Sequence, residues 1–297
     1  MQPIGLIDIG GTTIKFAVWQ DGQLVSRTRI ATPKDLNSFY EQLTIQINQM
    51  KQDYKIVGVG ISSPGAVNKR TGIIEGASAL PYIHNFKIQS VLEKYFDLPI
   101  SMENDANCAA LAELAGGAGR NVNSLCFLII GTGVGGAVIM NHQIWHGAHL
   151  FGGEFGFTLV DDRSTLSNLG TSVAVANRYN ANHPEQAPLT GKQVFDLADQ
   201  GCVSAQAEVQ VMYHTLAKAI YNLQYSFDPE MIVLGGAVSN NPQLVSAVNQ
   251  EIEKIRKVVE IASIKPTVVA CHFTDEANLR GAAFDFIQEH QEAKQND

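Results

Sequence analysis

The 297-residue sequence has no cluster of Lys and Arg, no C-x-x-C pair, no G-x-x-x-x-G-K-[ST] loop and no long apolar run, and each absence excludes a class of function. Its 21 basic and 29 acidic residues give a net charge of -8, which argues against nucleic acid or an anionic membrane surface as partner. A membrane span needs roughly 18 consecutive apolar residues, and no stretch reaches that. The opening M-Q-P-I-G-L-I-D carries neither a basic n-region nor a small-residue cleavage pattern, so a cytoplasmic location is expected. Cys108, Cys126, Cys202 and Cys271 are too scattered for a zinc knuckle or a disulfide framework and are expected to be buried and reduced. Without the Walker loop, a P-loop nucleotide site is set aside.

What the chain does contain is alternation. The β-branched runs I-G-L-I-D-I, K-I-V-G-V-G-I, S-L-C-F-L-I-I and M-I-V-L are interleaved with amphipathic stretches, among them 39–50 and S-V-L-E-K-Y-F. That order predicts an α/β fold with largely parallel sheets. The length exceeds what one core usually serves, so two domains are expected. I-D-I-G-G-T-T-I-K-F-A-V and I-I-G-T-G-V-G-G-A-V-I-M both read as strand, Gly/Thr turn, strand, about 120 residues apart, as if one plan were used twice. The G-G-A-G cluster near 116–120 suits a hinge, giving an N-terminal domain over 1–118 and a C-terminal domain over 119–277. A final helix, about 278–297, is expected to return to the first domain.

Gly131, Gly133 and Gly136 spell G-x-G-x-x-G after a strand. A dinucleotide site would need a helix next, whereas A-V-I-M followed by N-H-Q-I-W reads as strand, polar turn and strand, so that site is set aside. Each Gly/Thr turn has a plain reading as a tight β-hairpin. A third glycine pair, Gly235-Gly236, precedes Asn241-Pro242, which read as the cap and first turn of a helix carrying Leu244, Val245, Val248, Ile252 and Ile255 on one face. A strand, bare glycines and a helix let a flat ring lie against backbone.

The first turn holds a contradiction. Backbone N–H groups around Gly10, Gly11, Thr12 and Thr13 suit phosphates, yet Asp8 would repel them unless a cation stands between. ATP with Mg²⁺ resolves this, with Asp8 holding the metal directly or through water. Lys15 either adds charge or is merely solvated. In the second and third turns, Gly131, Thr132, Gly133, Gly135, Gly235 and Gly236 complete the candidate nucleotide-binding set.

In S-M-E-N-D-A-N-C-A-A-L-A-E-L, Asn104 or Asp105 stands at the start of an alanine-rich helix. The plain reading is an N-cap. The chemical one is that Asp105, kept ionised by the helix N-terminus, takes the proton of a sugar hydroxyl late in phosphoryl transfer. His142, His146 and His149 read as solvated or packed side chains, since nothing nearby completes a metal ligand set. His84 is open between a pocket contact and packing, and Tyr213, Tyr221 and Tyr225 read as helix packing.

D-I-G-G-T-T-I-K, S-S-P-G-A-V, E-N-D-A-N-C-A-A-L-A-E, I-G-T-G-V-G-G-A and I-V-L-G-G-A-V-S, in that order over nearly the whole chain, resemble the ROK family of sugar kinases and repressors. The resemblance implies a two-domain actin-like ATPase (ribonuclease H-like) fold with a cleft between domains, a homodimer, and transfer of the ATP γ-phosphate to a sugar hydroxyl. It makes Asp105 the catalytic base and Gly65, Asn104 and Glu154 sugar contacts. Repressor members carry a helix-turn-helix before the first strand, and with seven residues ahead of Asp8 none is expected here.

Two departures bear on substrate. Phe157 stands where the family's E-x-G-H has histidine, and D-D-R-S-T-L-S-N-L-G-T-S-V replaces its cysteine cluster, so no zinc is expected. A family glutamate that reaches the sugar's anomeric end falls near Val173. Loss of these polar partners weakens binding of a free anomeric hydroxyl and leaves room for an apolar or glycosyl substituent. This form resembles the family's β-glucoside kinases, which phosphorylate cellobiose and related glucosides at the 6-hydroxyl. N-acetylmannosamine kinase and glucokinase are the alternatives within the family. A sugar sensor without turnover is the alternative of another class.

Overall fold

The computed structural model describes residues 2–296, with side chains over 2–290. The chain forms two compact units, Met1–Gly116 with Gly147–Phe151 and Asp275–Asp297, and Gly117–His146 with Gly152–Thr274.

The first unit opens with β1 (Ile4–Ile9), β2 (Thr13–Gln20) and β3 (Gln23–Ala31), then α1 (Leu36–Tyr54) and β4 (Val59–Ser63). A small hairpin follows, β5 (Ala66–Asn68) and β6 (Ile73–Glu75), and then α2 (Ile88–Phe96), β7 (Ile100–Asn104) and α3 (Asp105–Gly116). The sheet order is β3-β2-β1-β4-β7. β1 is buried along its whole length because both sheet faces are covered, which is why it reads as an unbroken apolar run. Successive residues still alternate between faces. Ile7 and Ile9 join the cluster of Phe39, Leu43 and Leu92 from α1 and α2, whereas Ile4 and Leu6 join Cys108, Leu279 and Ala282 on the other face. Asp8 therefore shares the second face.

The second unit contains β8 (Leu125–Ile130), β9 (Val134–Met140), β10 (Gln143–Ile144), α4 (Leu166–Leu169), α5 (Ser172–Ala181), α6 (Gly191–Asp199), α7 (Val203–Phe227), β11 (Met231–Gly235), α8 (Leu244–Val258) and β12 (Val268–Ala270). Its sheet order, β10-β9-β8-β11-β12, repeats the first sheet's pattern. The central α7 buries Met212, Leu216 and Ile220 against the sheet. The chain closes on α9 (Ala277–Asn296), which belongs to the first unit.

Three sequence expectations need correction. The five-stranded sheets are mixed, not largely parallel: in each, two pairings are antiparallel and two parallel. The turns that join β1 to β2 and β8 to β9 are too short for a crossover, so they return antiparallel strands. The run beginning at Lys55 starts late as a strand, because Lys55 takes a left-handed φ of 56° as the C-cap of α1 and β4 begins only at Val59. Finally, Cys108 and Cys126 are buried as expected, but Cys202 and Cys271 are half-buried. Burial holds the Cys126 thiol up at about 12 and Cys108 well above its usual range.

Candidate active site

The parallel register of β1, β4 and β7 brings polar residues from three distant segments to one sheet end. Asp8 pairs with Ser62, Ser62 with Glu103, and Ser63 with Asn104. The carboxyl ends of parallel strands are where open α/β sheets present ligand-binding groups. Across the antiparallel pair, Asp8 faces Lys15.

Asp8 is 7% exposed, and its neighbours explain how a carboxylate persists in an apolar strand. Ser62 Oγ donates to Oδ1 at 3.0 Å, Asn278 Nδ2 donates to the same oxygen at 3.0 Å, and Lys15 Nζ stands 3.6 Å from Oδ2. Lys15 is thus neither simply solvated nor remote. The sequence argument that Asp8 needs an outside cation is modified accordingly: the folded chain already supplies a partial one. A buried, pre-oriented carboxylate oxygen is still the donor type that Mg²⁺ prefers, so the residues present suit that ion. The turn beyond Asp8 is closed by Gly10 N–H donating to Thr13 O at 3.1 Å and fastened by Thr32, whose Oγ1 donates to Gly10 O at 2.7 Å and whose N–H donates to Thr12 O at 3.0 Å. Gly11 and Thr12 are exposed at its tip.

Asn104 is the cap of α3. Its Oδ1 accepts from Ala106 N–H at 2.9 Å and Asn107 N–H at 3.2 Å, while its Nδ2 donates to Gly65 O at 3.0 Å. Asp105 opens the helix, half-buried, with Oδ1 accepting from Ala106 N–H at 2.8 Å. The principal capping therefore falls to Asn104 rather than Asp105. Gly65 has φ 93°, a conformation that glycine tolerates, and a Cβ there would stand 2.7 Å from His84 Cε1. His84 is buried against this turn, its Nε2 2.7 Å from Ser78 Oγ and its Nδ1 without a hydrogen-bond partner.

In the second unit, Gly131 N–H donates to Gly133 O at 2.9 Å, and Ser167 Oγ accepts from Val134 N–H at 3.0 Å. Gly131 and Gly135 avoid positive φ, and a Cβ on either would meet nothing within 4 Å. Nothing inside the folded chain demands glycine at either position, and both leave the backbone bare. Gly235 and Gly236 differ. A Cβ on Gly235 would meet the Phe127 ring at 2.6 Å, and Gly236 combines φ 86° with a Cβ position 2.3 Å from Ile130 O. Packing is sufficient reason for glycine at those two positions. Asn241 does not cap α8 directly: it ends the 3-10 turn Ala237–Asn240, and the N-cap is Gln243, to whose N–H the Asn241 side chain is acceptor at 2.9 Å.

Glu154 leads into a 3-10 turn, Phe155–Phe157, and is exposed, with partial burial raising its carboxyl above the usual range. One turn on, Phe157 presents its ring to water at 71% exposure, and Leu159 follows at 68%. Val173, in the first turn of α5, is 40% exposed. Among the described residues no three His, Cys, Asp or Glu side chains gather as a metal ligand set. The tyrosines of α7 pack: Tyr213 is buried, and Tyr221 and Tyr225 contact each other at 5.0 Å between ring centroids.

Sequence reasoning missed Ser62, Ser167, Thr32 and Asn278 as partners of the site. The two serines in V-G-I-S-S were a weak signal; the others became visible only through tertiary contact. No helix among the described residues is long and apolar enough to cross a membrane.

Comparison with known proteins supplies the family. The profile of the ROK family matches residues 4–289. A beta-glucoside kinase of Klebsiella pneumoniae is 33% identical over 96% of this chain and 96% of its own, and a glucokinase of Halalkalibacterium halodurans is 31% identical over 83% and 84%. A crystal structure of a ROK family protein from Streptococcus pneumoniae in complex with sucrose superposes with a TM-score of 0.88 at 36% identity, covering 98% of this chain and 100% of that one. The architecture is the actin-like ATPase fold of the ROK hexokinases. A family match over residues 4–289, nearly the full length, shows that this chain belongs to the ROK family.

Proposed function

We propose that this ATP-dependent ROK-family carbohydrate kinase phosphorylates the 6-hydroxyl of a hexose whose anomeric oxygen is substituted, with a β-glucoside such as cellobiose as its substrate. The observation that carries this reading is the turn after Glu154. A carboxylate able to hold sugar hydroxyls is followed within one turn by the exposed ring of Phe157. An apolar ring cannot pair with a free anomeric hydroxyl, but it packs against a glycosyl or aryl group. The beta-glucoside kinase relative and the sucrose bound to the Streptococcus pneumoniae protein point the same way, since both involve a glucose unit substituted at its anomeric oxygen.

In this reaction Asn104 and Gly65 orient the sugar and Asp105 accepts its hydroxyl proton as phosphoryl transfer completes. Asp8 would hold Mg²⁺, which when bound neutralises charge on the transferring phosphate. The bare backbone of Gly131–Gly135 admits phosphate, Lys15 adds positive charge beside Asp8, and Gly235 and Gly236 border the adenosine. Positioning and electrostatics supply most of the rate. The resemblance to dimeric family members extends the reading to a homodimer acting in the cytoplasm without zinc.

The test is ADP release with Mg²⁺ and ATP across glucose, cellobiose, an aryl β-glucoside and N-acetylmannosamine. The expected order places cellobiose or the aryl glucoside first in kcat/KM. Preference for free glucose would overturn the substrate assignment in favour of the glucokinase reading that the Halalkalibacterium relative supports. No ADP release with any sugar would favour a sensor.

A further inference from the structure

The first unit contains a buried charged cluster that the reaction itself does not use. Lys69, just past β5, makes a close ion pair with Asp285 of α9, lies 3.2 Å from Glu289 Oε2 and 3.9 Å from Glu103 Oε2. Glu103 is 1% exposed, and its other oxygen accepts from the Asn104 backbone N–H at 2.7 Å and from Asn107 Nδ2 at 2.9 Å. One residue therefore links the cluster to the segment that carries the base.

α9 places this cluster relative to the rest of the site. Asn278, Gly281 and Asp285 lie three and four residues apart, so they share one face of the helix. Asn278 holds Asp8. Gly281 lies so close to α3 that a Cβ would stand 1.7 Å from Cys108 O. Asp285 engages Lys69. A single rigid element thus fixes the metal-type carboxylate at one point and the catalytic segment at another.

Stability is a poor reason for this arrangement. Burying charges is costly, and apolar residues of similar volume replace buried ion pairs with little loss or even a gain. Asp285 Oδ2 is buried without a hydrogen-bond partner, which adds to the cost. What charge supplies and apolar contact does not is direction.

We propose that Lys69, Asp285 and Glu103 form a clamp through which α9 holds Asn104 and Asp105 in their reactive register, so that the three are positioning residues for phosphoryl transfer. The proposal rests on the kinase reading above. Small displacements of a reacting group lower rate far more than they lower binding.

The test compares three full-length variants: Asp285→Asn, Lys69→Met, and the paired Lys69→Met/Asp285→Leu, which exchanges the ion pair for apolar volume. Melting temperature, kcat and both KM values are measured. Each variant is expected to lose on the order of 10- to 100-fold in kcat, with KM for ATP changed by less than about 3-fold. The paired variant is expected to regain the melting temperature while kcat stays low. Recovery of kcat along with melting temperature would reduce the cluster to a structural tie and overturn the proposal, as would wild-type kcat in Asp285→Asn. Should the single variants fail to fold, the paired one decides. Absence of turnover by the wild type removes the kinase reading and this one together; wild-type turnover with undiminished variants removes the clamp alone.

Discussion

The two hairpins follow one plan with opposite chemistry. In the first unit the penultimate residue of β1, Asp8, pairs with Lys15 on one side and Ser62 on the other. In the second unit the penultimate residue of β8, Ile129, pairs with Gly135 and Gly235. A carboxylate, an ammonium and a hydroxyl thus correspond to isoleucine and two glycines. At these matched positions the first hairpin presents charged and polar side chains, and the second presents an apolar side chain and bare backbone. Duplicated architecture does not impose duplicated function, because strand pairing fixes positions and leaves the side chains at those positions free to diverge.

The largest expected effect removes the proposed proton acceptor, which lies in the first unit. Asp105→Asn should lower kcat by on the order of 10² to 10⁴-fold while leaving nucleotide affinity intact, as measured by steady-state rates and calorimetry. Near-normal turnover would end its assignment as base. Next, Asp8→Ile writes the second hairpin into the first. It should lower kcat by at least about 10²-fold and abolish the dependence of ATP affinity on magnesium, which a metal titration reads directly. Magnesium dependence surviving in this variant would place the metal elsewhere.

The glycines sharpen the contrast within the second unit. Gly135→Ala points its methyl into open space and should leave the melting temperature nearly unchanged while raising KM for ATP about tenfold, a difference of about 1.4 kcal/mol. Gly235→Ala meets the Phe127 ring and should cost about 1–3 kcal/mol of stability, measured by denaturant unfolding. Equal behaviour of the two would show that Gly135 borders no ligand.

The smallest effect concerns pH. Burial pushes the Asp285 carboxyl up to about 6, against the pull of Lys69, with Glu103 and Glu289 adding repulsion and the Cys108 thiol staying neutral beside it. The folded chain holds this proton more tightly than the unfolded chain, so the associated stability is full below about pH 4 and is lost as pH rises through about 6. The melting temperature of the wild type relative to Asp285→Asn should therefore fall between those values and level off above them. A difference that does not vary with pH would contradict the burial argument.

Much of this was legible from local pattern. Alternating apolar runs gave the α/β class, the spacing of Gly/Thr turns gave the repeated hairpin, and the alanine-rich run after Asp105 gave α3. The sheets' mixed sense was misread because β-branched runs look alike in parallel and antiparallel strands, and only the turn lengths distinguish them. The Asn241 cap was misplaced by two residues because Asn241 ends a 3-10 turn instead, and its side chain reaches α8 only through the Gln243 N–H. The side-chain partners of Asp8 were not legible for a different reason. Its partner Ser62 is 54 residues away and Asn278 is 270 away, separations that no local pattern records.

By itself the sequence determined which segments become strands, turns and helices, because backbone preference and side-chain periodicity act over a few neighbouring residues. It also placed Asp105 at a helix start and put Phe157 in place of a family histidine. Only the tertiary structure decided that Ser62, Lys15 and Asn278 converge on Asp8, and that Lys69 and Asp285 reach Glu103. Sheet register and the docking of α9 set those meetings, and both are fixed by burial of apolar faces summed over the whole unit rather than by any residue's own neighbours.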